Sequence, residues 1–355
     1  MAVSLTRRDM LAKGALAAGI TATASCGGTE PRSSDVSRQE ETPGWIAPWS
    51  PPAGLRKNLS PGIMPIRLAS WSRETTLDWK RGQGAGITER VRKVRDAGYT
   101  ATNASYRASD WKDATEAEIR ELHAALKDYD VALFDMHTTG SNIHSDFAVR
   151  DNVYRTTVAA CEVAERIGCP MVTTHIGAAG GARPMSAHPD NWTMETWRKG
   201  VEVMKRLLAD TAGMNVALGV EAVNMTIMNN PRAHLHLIEE VDDPRLKVCL
   251  DPVNMVYIGN HFRTMELIEE CFDLLGDHII AAHAKDTLIL DKMSIYIVEV
   301  APGKGRLDYE TYLACLSRLP RTVSLLIEHI PDEEYPGAKA FIEDTAARLG
   351  VTIYS

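Results

Sequence analysis

Four side chains able to bind a divalent cation end four successive apolar runs in the second half of the chain. They are Glu221 in NVALGVEA, Asp251 in LKVCLDPVN, His283 in HIIAAHAKD and Glu328 in VSLLIEHI. Each run has the aliphatic, β-branched content of a short buried strand. A lone acid at a strand end serves equally as a helix cap or ion-pair partner, and a lone histidine as a core residue. The set of four is different. An unpaired buried carboxylate is costly, and three near one point repel unless a cation neutralises them. Two Glu, one Asp and one His form an oxygen-rich donor set that suits Mn²⁺, with Mg²⁺, Co²⁺ or Zn²⁺ as alternatives. No thiolate joins them, so a structural zinc site is not indicated.

Other polar residues end neighbouring runs. His137 and His175 can hydrogen-bond substrate hydroxyls or cap the core. Lys285 can polarise a carbonyl or bridge to a carboxylate. Trp71 can stack on a sugar face or plug the interior. The Gly-rich loop 177–183 lacks the Lys-Ser/Thr of a phosphate cradle and reads as a mobile rim.

The elements that must carry these residues alternate regularly. Strand-like runs are predicted at 66–71, 99–104, 131–137, 171–175, 216–221, 246–251, 278–283 and 323–328. Helical spacing follows each: Ile87, Val91, Val94 and Ala97 before Gly98; 115–129; a long helix ending at Ile167; Met194, Trp197, Val201, Met204 and Leu208; a helix opened by Asn230-Pro231; 264–275; one capped by Asp308; and a last one ending at Gly350. Eight βα units favour a parallel sheet closed into a (β/α)8 TIM barrel, an α/β fold in a single domain over 62–355. No G-x-G-x-x-G follows the first strand, and Gly82, Gly84 and Gly86 read as loop flexibility. In such a barrel the C-terminal strand ends share one mouth. Glu221, Asp251 and His283 are spaced by about one βα unit each, about 30 residues. The longer interval to Glu328 leaves room for a long loop over 287–306.

Composition agrees with this. The 355 residues are 45% hydrophobic and 24% charged, as in soluble globular proteins. The net charge of −8 argues against a nucleic-acid partner. Residues 1–26 read as an export signal. Thr6-Arg7-Arg8-Asp9-Met10-Leu11 is similar to a twin-arginine motif, and a short apolar stretch and small residues follow. Thr23-Ala24-Ser25-Cys26 resembles a lipobox, which implies a lipid anchor at Cys26 and a periplasmic or membrane-anchored product. Cleavage after Ala24 is the competing expectation. Residues 27–61, rich in Pro and Ser, read as a tether or strap, with Trp45 and Trp49 expected to pack on the barrel. The five cysteines besides Cys26 form no C-x-x-C pair, and Cys161, Cys249, Cys271 and Cys315 lie in apolar segments as small buried hydrophobes.

Over roughly residues 62–350 the chain resembles the xylose-isomerase-like barrel superfamily of sugar isomerases and epimerases, which also holds inosose dehydratases and endonuclease IV. The resemblance rests on Glu221, Asp251-Pro252-Val253-Asn254, His283-Ala284-Lys285-Asp286, Pro302-Gly303-Lys304-Gly305-Arg306-Leu307-Asp308 and Glu328. It implies that Glu221, Asp251, His283 and Glu328 are metal ligands; Glu221 and Glu328, on opposite sides of the bound carbon, are then the expected acid–base pair. Asn254 stands where many members have His. That weakens any second metal site and leaves Asn254 as a substrate contact. The expected reaction is proton transfer next to a carbonyl of a free or keto sugar. Alternatives are β-elimination from a keto-glycoside or inosose, and a non-catalytic sugar-binding lipoprotein. A nuclease would need a basic groove and further metals, and the net charge of −8 argues against it.

Overall fold

Hydrophobic patterning resolves into strands that are buried on both faces and helices that are buried on one. The computed structural model describes residues 57–355. The expectations for Arg7-Arg8, Cys26, Trp45 and Trp49 lie outside the described residues. In chain order the elements are β1 (Ile66–Ser70), α1 (Ile87–Asp96), β2 (Ala101–Ser105), α2 (Glu116–Asp128), β3 (Ala132–His137), α3 (Phe147–Ile167), β4 (Met171–Thr174), α4 (Met194–Asp210), β5 (Ala217–Glu221), α5 (Pro231–Val241), β6 (Leu246–Leu250), α6 (Thr264–Leu275), β7 (Ile279–Ala284), β8 (Asp286–Ile289), β9 (Ile297–Val300), α7 (Tyr309–Arg318), β10 (Val323–Ile327) and α8 (Tyr335–Leu349).

Eight strands form one parallel sheet in the order β1-β10-β7-β6-β5-β4-β3-β2. At the seam, the Thr100 N–H donates to the Leu68 carbonyl at 3.1 Å and the Arg67 guanidinium to the Thr100 carbonyl at 2.9 Å. The sheet is thus a nearly closed single-domain TIM barrel. Its interior is filled by alternating sizes. Ala69, Ala101 and Ala281 leave room for Phe134, Met171 and Leu326. A larger apolar layer joins the helices to the outside of the sheet.

The helix starts follow their caps. Thr115 and Glu118 form a reciprocal capping box on α2. Asn230 Oδ1 accepts from Ala233 N–H at 3.0 Å, with Pro231 opening α5. Asp308 Oδ1 accepts from Thr311 N–H at 2.9 Å on α7. The segment expected as a plain loop, 287–306, instead contains an antiparallel hairpin. β8 and β9 pair from Asp286–Val300 to Ile289–Ile297, and exposed Met293, Ile295 and Tyr296 form the tip.

Candidate metal centre

Glu221 ends β5, His283 lies one residue from the end of β7, and Asp251 and Glu328 directly follow β6 and β10. The sheet brings these strand ends together at the mouth. One ligand atom from each residue lies within 4.8 Å of all the others, and all four residues are buried. His283 Nδ1 lies among the carboxylates, 3.1 Å from Glu328 Oε1, 3.3 Å from Glu221 Oε1 and 3.9 Å from Asp251 Oδ2. Asp251 Oδ1 accepts from the N–H groups of Val253 and Asn254 at 3.0 and 3.3 Å, which fixes the carboxylate. Its Oδ2 and His283 Nδ1 are buried without an aligned hydrogen-bond partner. The 2.6 Å approach of Lys285 Nζ to Asp251 Oδ2 is an ion pair rather than an aligned hydrogen bond. A buried His283 Nδ1 with no aligned partner, among three carboxylates that the single ammonium of Lys285 only partly neutralises, fits a divalent cation.

The electrostatics agree with this fit. Burial alone would lower the His283 pKa, yet the Glu328 and Glu221 carboxylates beside it hold it well above the ordinary imidazole value. Burial would raise Glu221, but His283 and His175 hold it well below the usual carboxylate range. Asp251 is pushed up to about 6 by burial, with Lys285 opposing and Glu221 reinforcing the shift. Without an ion, the imidazole is driven to carry the positive charge that the carboxylates demand.

The other expected site residues surround this point. His175 Nε2 lies 3.1 Å from Glu221 Oε2. The His137 ring meets Trp71 edge-on at 4.8 Å and His175 at 5.6 Å. Burial pushes His137 down to about 3, so it is a neutral imidazole. His137, His175 and Glu221 also place ligand atoms within 4.8 Å of one another, so Glu221 is shared by two groups. Asn254 donates from Nδ2 to Glu221 Oε1 at 2.9 Å and accepts from Lys285 Nζ at 3.0 Å through Oδ1. Trp71 is tied down by its backbone, donating to Ile327 O at 2.8 Å and accepting from Tyr335 Oη at 2.8 Å.

The HAKD and PGKGRL segments meet for a structural reason. Asp286 Oδ1 accepts from Thr287 and Leu307 N–H at 2.7 and 2.8 Å, and Oδ2 from Gly303 and Gly305 N–H at 3.1 and 2.9 Å. One carboxylate thereby closes the long loop after β7. Gly303 has a φ of +86°, and a Cβ on Gly305 would clash with Asp286 Oδ1.

Three contributors escape a reading of the sequence. Glu299 on β9 lies 3.3 Å from Lys285 Nζ and 3.0 Å from His329 Nδ1. His329 follows Glu328 with a φ of +59°, an uncommon backbone state for a residue with a side chain. Cys249 lies 3.2 Å from His283 Nε2. The hairpin that carries Glu299 has no turn signature, and an His next to an expected ligand gives no sign of its backbone twist. Cys249 reads as core because its neighbours are apolar.

Comparison with known proteins agrees with the fold. The 3-keto-D-glucoside 4-epimerase of E. coli, in its apo form, is 15% identical with a TM-score of 0.54, over 80% of this chain and 99% of that one. A xylose isomerase-like TIM barrel protein from Mycobacterium smegmatis, in complex with magnesium, is 15% identical with a TM-score of 0.57, over 81% and 96% of the two chains. A 3-oxo-isoapionate decarboxylase of Pectobacterium atrosepticum is 23% identical over 137 residues, 38% of this chain and 46% of that protein. The chain thus matches about half the length of that curated relative. Residues 91–347 match the family model described as xylose isomerase-like TIM barrel. With that match and the eight-stranded parallel barrel, the chain belongs to the xylose isomerase-like TIM barrel family.

Proposed function

We propose that the protein is a divalent-metal-dependent isomerase or epimerase that moves a proton on a carbon next to a carbonyl of a free or keto sugar or glycoside. The observation that carries this reading is the convergence of Glu221, Asp251, His283 and Glu328 within 4.8 Å. A cation held by these four, Mg²⁺ or Mn²⁺ by their oxygen-rich character, would polarise the carbonyl and stabilise the negative charge that grows on its oxygen.

The chain's own groups do the rest. Glu221 and Glu328 reach the centre from β5 and β10, which β6 and β7 separate in the sheet. Their carboxylates therefore approach a substrate from two directions. One removes the proton and the other returns it. Return on the opposite face gives the epimer, and return on the neighbouring carbon gives the isomer. Each positioned acid or base contributes about 10²–10⁴-fold. His137 and His175 hold sugar hydroxyls, and Trp71 closes that side. The magnesium in the M. smegmatis relative and the keto-glucoside named for the E. coli epimerase support this reading.

A lyase is the second reading, favoured by the partial match to a decarboxylase and the buried ammonium of Lys285. A 3-oxo acid that loses CO₂ leaves an electron pair on the carbon next to its carbonyl. Glu221 or Glu328 would then protonate that carbon. The TRRDML segment supports export by the twin-arginine route and Cys26 a lipid anchor; outside the cytoplasm free sugars are the more available substrates.

The test is solvent exchange. Metal-loaded protein incubated with keto sugars and 3-keto-glycosides in D₂O should place deuterium next to the carbonyl, read by NMR. Glu328→Gln should stop exchange while circular dichroism stays native. No exchange into any keto sugar by wild type, with the metal bound, would sink the proposal.

A further inference from the structure

Lys285 is the part of the centre that the four-ligand description leaves unexplained. It follows β7 by one residue and is 1% exposed. Its Nζ lies 2.6 Å from Asp251 Oδ2, 3.3 Å from Glu328 Oε1 and 3.3 Å from Glu299 Oε1, and it donates to Asn254 Oδ1 at 3.0 Å. The Asn254 amide is oriented by its own donation to Glu221, so its oxygen faces the lysine. These four nearest oxygens are all acceptors, and the more distant His329 Nδ1, at 3.5 Å, is engaged by Glu299 at 3.0 Å. Only the protonated amine, with three N–H groups and no lone pair, suits such a setting.

The charges then sum simply. Glu221, Asp251 and Glu328 bring three negative charges, and Lys285 returns one. His283 is neutral when its Nδ1 lone pair serves as a ligand. Glu299 lies at the rim and is paired with His329 at 3.0 Å. The buried remainder is two negative charges, which one divalent cation balances. The second group, His137 and His175 with the shared Glu221, adds imidazoles and no charge. Asp135 is a further buried carboxylate beside this group, its Oδ2 3.9 Å from His137 Nδ1. Even with Asp135 ionised, a second divalent ion would leave one uncompensated buried positive charge, which a low-dielectric interior strongly disfavours.

We infer that Lys285 is a fixed cation built into this centre: it holds Asp251 and Glu328 and limits the site to one divalent ion. This rests on the metal reading above. The lysine thereby weakens binding of the first ion and blocks a second at His137, His175 and Glu221.

The test uses the full chain, stripped with chelator and titrated with Mn²⁺ alone, with stoichiometry by calorimetry and spin coupling by EPR. Wild type should bind one equivalent with the spectrum of an isolated ion. Lys285→Met should bind the first ion about tenfold more tightly, or take up a second with an exchange-coupled spectrum. Asn254→Asp, which adds a negative charge and keeps the lysine, should shift affinity the same way and serves if Lys285→Met does not fold. Two equivalents in wild type, or folded variants that neither bind the first ion more tightly nor take up a second, would overturn the inference. No Mn²⁺ bound by wild type would overturn the metal reading beneath it, an outcome separable from any effect of the lysine.

Discussion

The Cys249 sulfur lies 3.2 Å from Nε2 of His283, on the ring edge opposite the one that faces the carboxylates. Strand register causes this, since Cys249 pairs with Glu221 on β5 and with Ala281 on β7. If His283 Nδ1 gives its lone pair to a metal, Nε2 carries the proton and donates it to the sulfur. A buried histidine ligand is normally steadied in this way by a carboxylate or carbonyl. Burial keeps the Cys249 pKa up at about 11, so the partner is a neutral thiol.

Cys249→Ala should therefore weaken metal binding by about tenfold, the lower end for loss of such a supporting contact. Cys249→Ser keeps a hydroxyl at that position and should lose less. Calorimetric titration with Mg²⁺ or Mn²⁺ decides it, and equal affinity for wild type and both variants would show that the sulfur only fills space.

Chelation should lower the melting temperature. A cation present at about 100 times its dissociation constant stabilises the folded state by about 2.7 kcal/mol. Thermal unfolding with EDTA and with excess Mg²⁺ or Mn²⁺ measures the gap, which Asp251→Asn should abolish. A gap of the same size in that variant would place the stabilising ion elsewhere.

Asp286 should be a stability residue. Its carboxylate accepts four backbone N–H groups, and Asp286→Ala leaves them buried without partners. A loss of about 3 kcal/mol or more is expected, read by urea unfolding. A change below about 1 kcal/mol would mean that water or rearrangement replaces the carboxylate.

Asp135 gives a pH signature. Burial pushes its carboxyl up to about 7 against an ordinary value of 3.8, opposed by Thr173 and His283. Between those values the unfolded chain has lost the proton and the folded one keeps it. The folded state binds more protons there, so this group's contribution to stability falls as pH rises from about 4 to 7, by up to about 1.4 kcal/mol per pH unit. Metal-free Asp135→Asn should show a flatter stability profile than wild type across that window. Parallel profiles would locate the responsible titration elsewhere.

Much of the barrel is visible in the chain because its signals are local. Apolar runs mark the strands, and Thr115, Asn230-Pro231 and Asp308 mark helix starts through side chains that reach only three residues onward. The hairpin over 286–300 is not visible in this way, because β8 and β9 pair with each other and present no clear alternation of their own. Asp286 shows the boundary well. The sequence places it beside His283 in the HAKD segment, but only the folded loop reveals that its partners are backbone groups up to 21 residues away.

By itself, the sequence determined the eight βα units and the positions of Glu221, Asp251, His283 and Glu328 at strand ends, since both depend on residues close in the chain. The tertiary structure decided which groups share the centre. It placed Lys285 within 2.6 Å of Asp251, set Cys249 behind His283, and brought Glu299 and His329 to the rim. Those contacts depend on register between strands and on the return of a hairpin. Neither is encoded by residue type or spacing, because each is set by how separate segments pack.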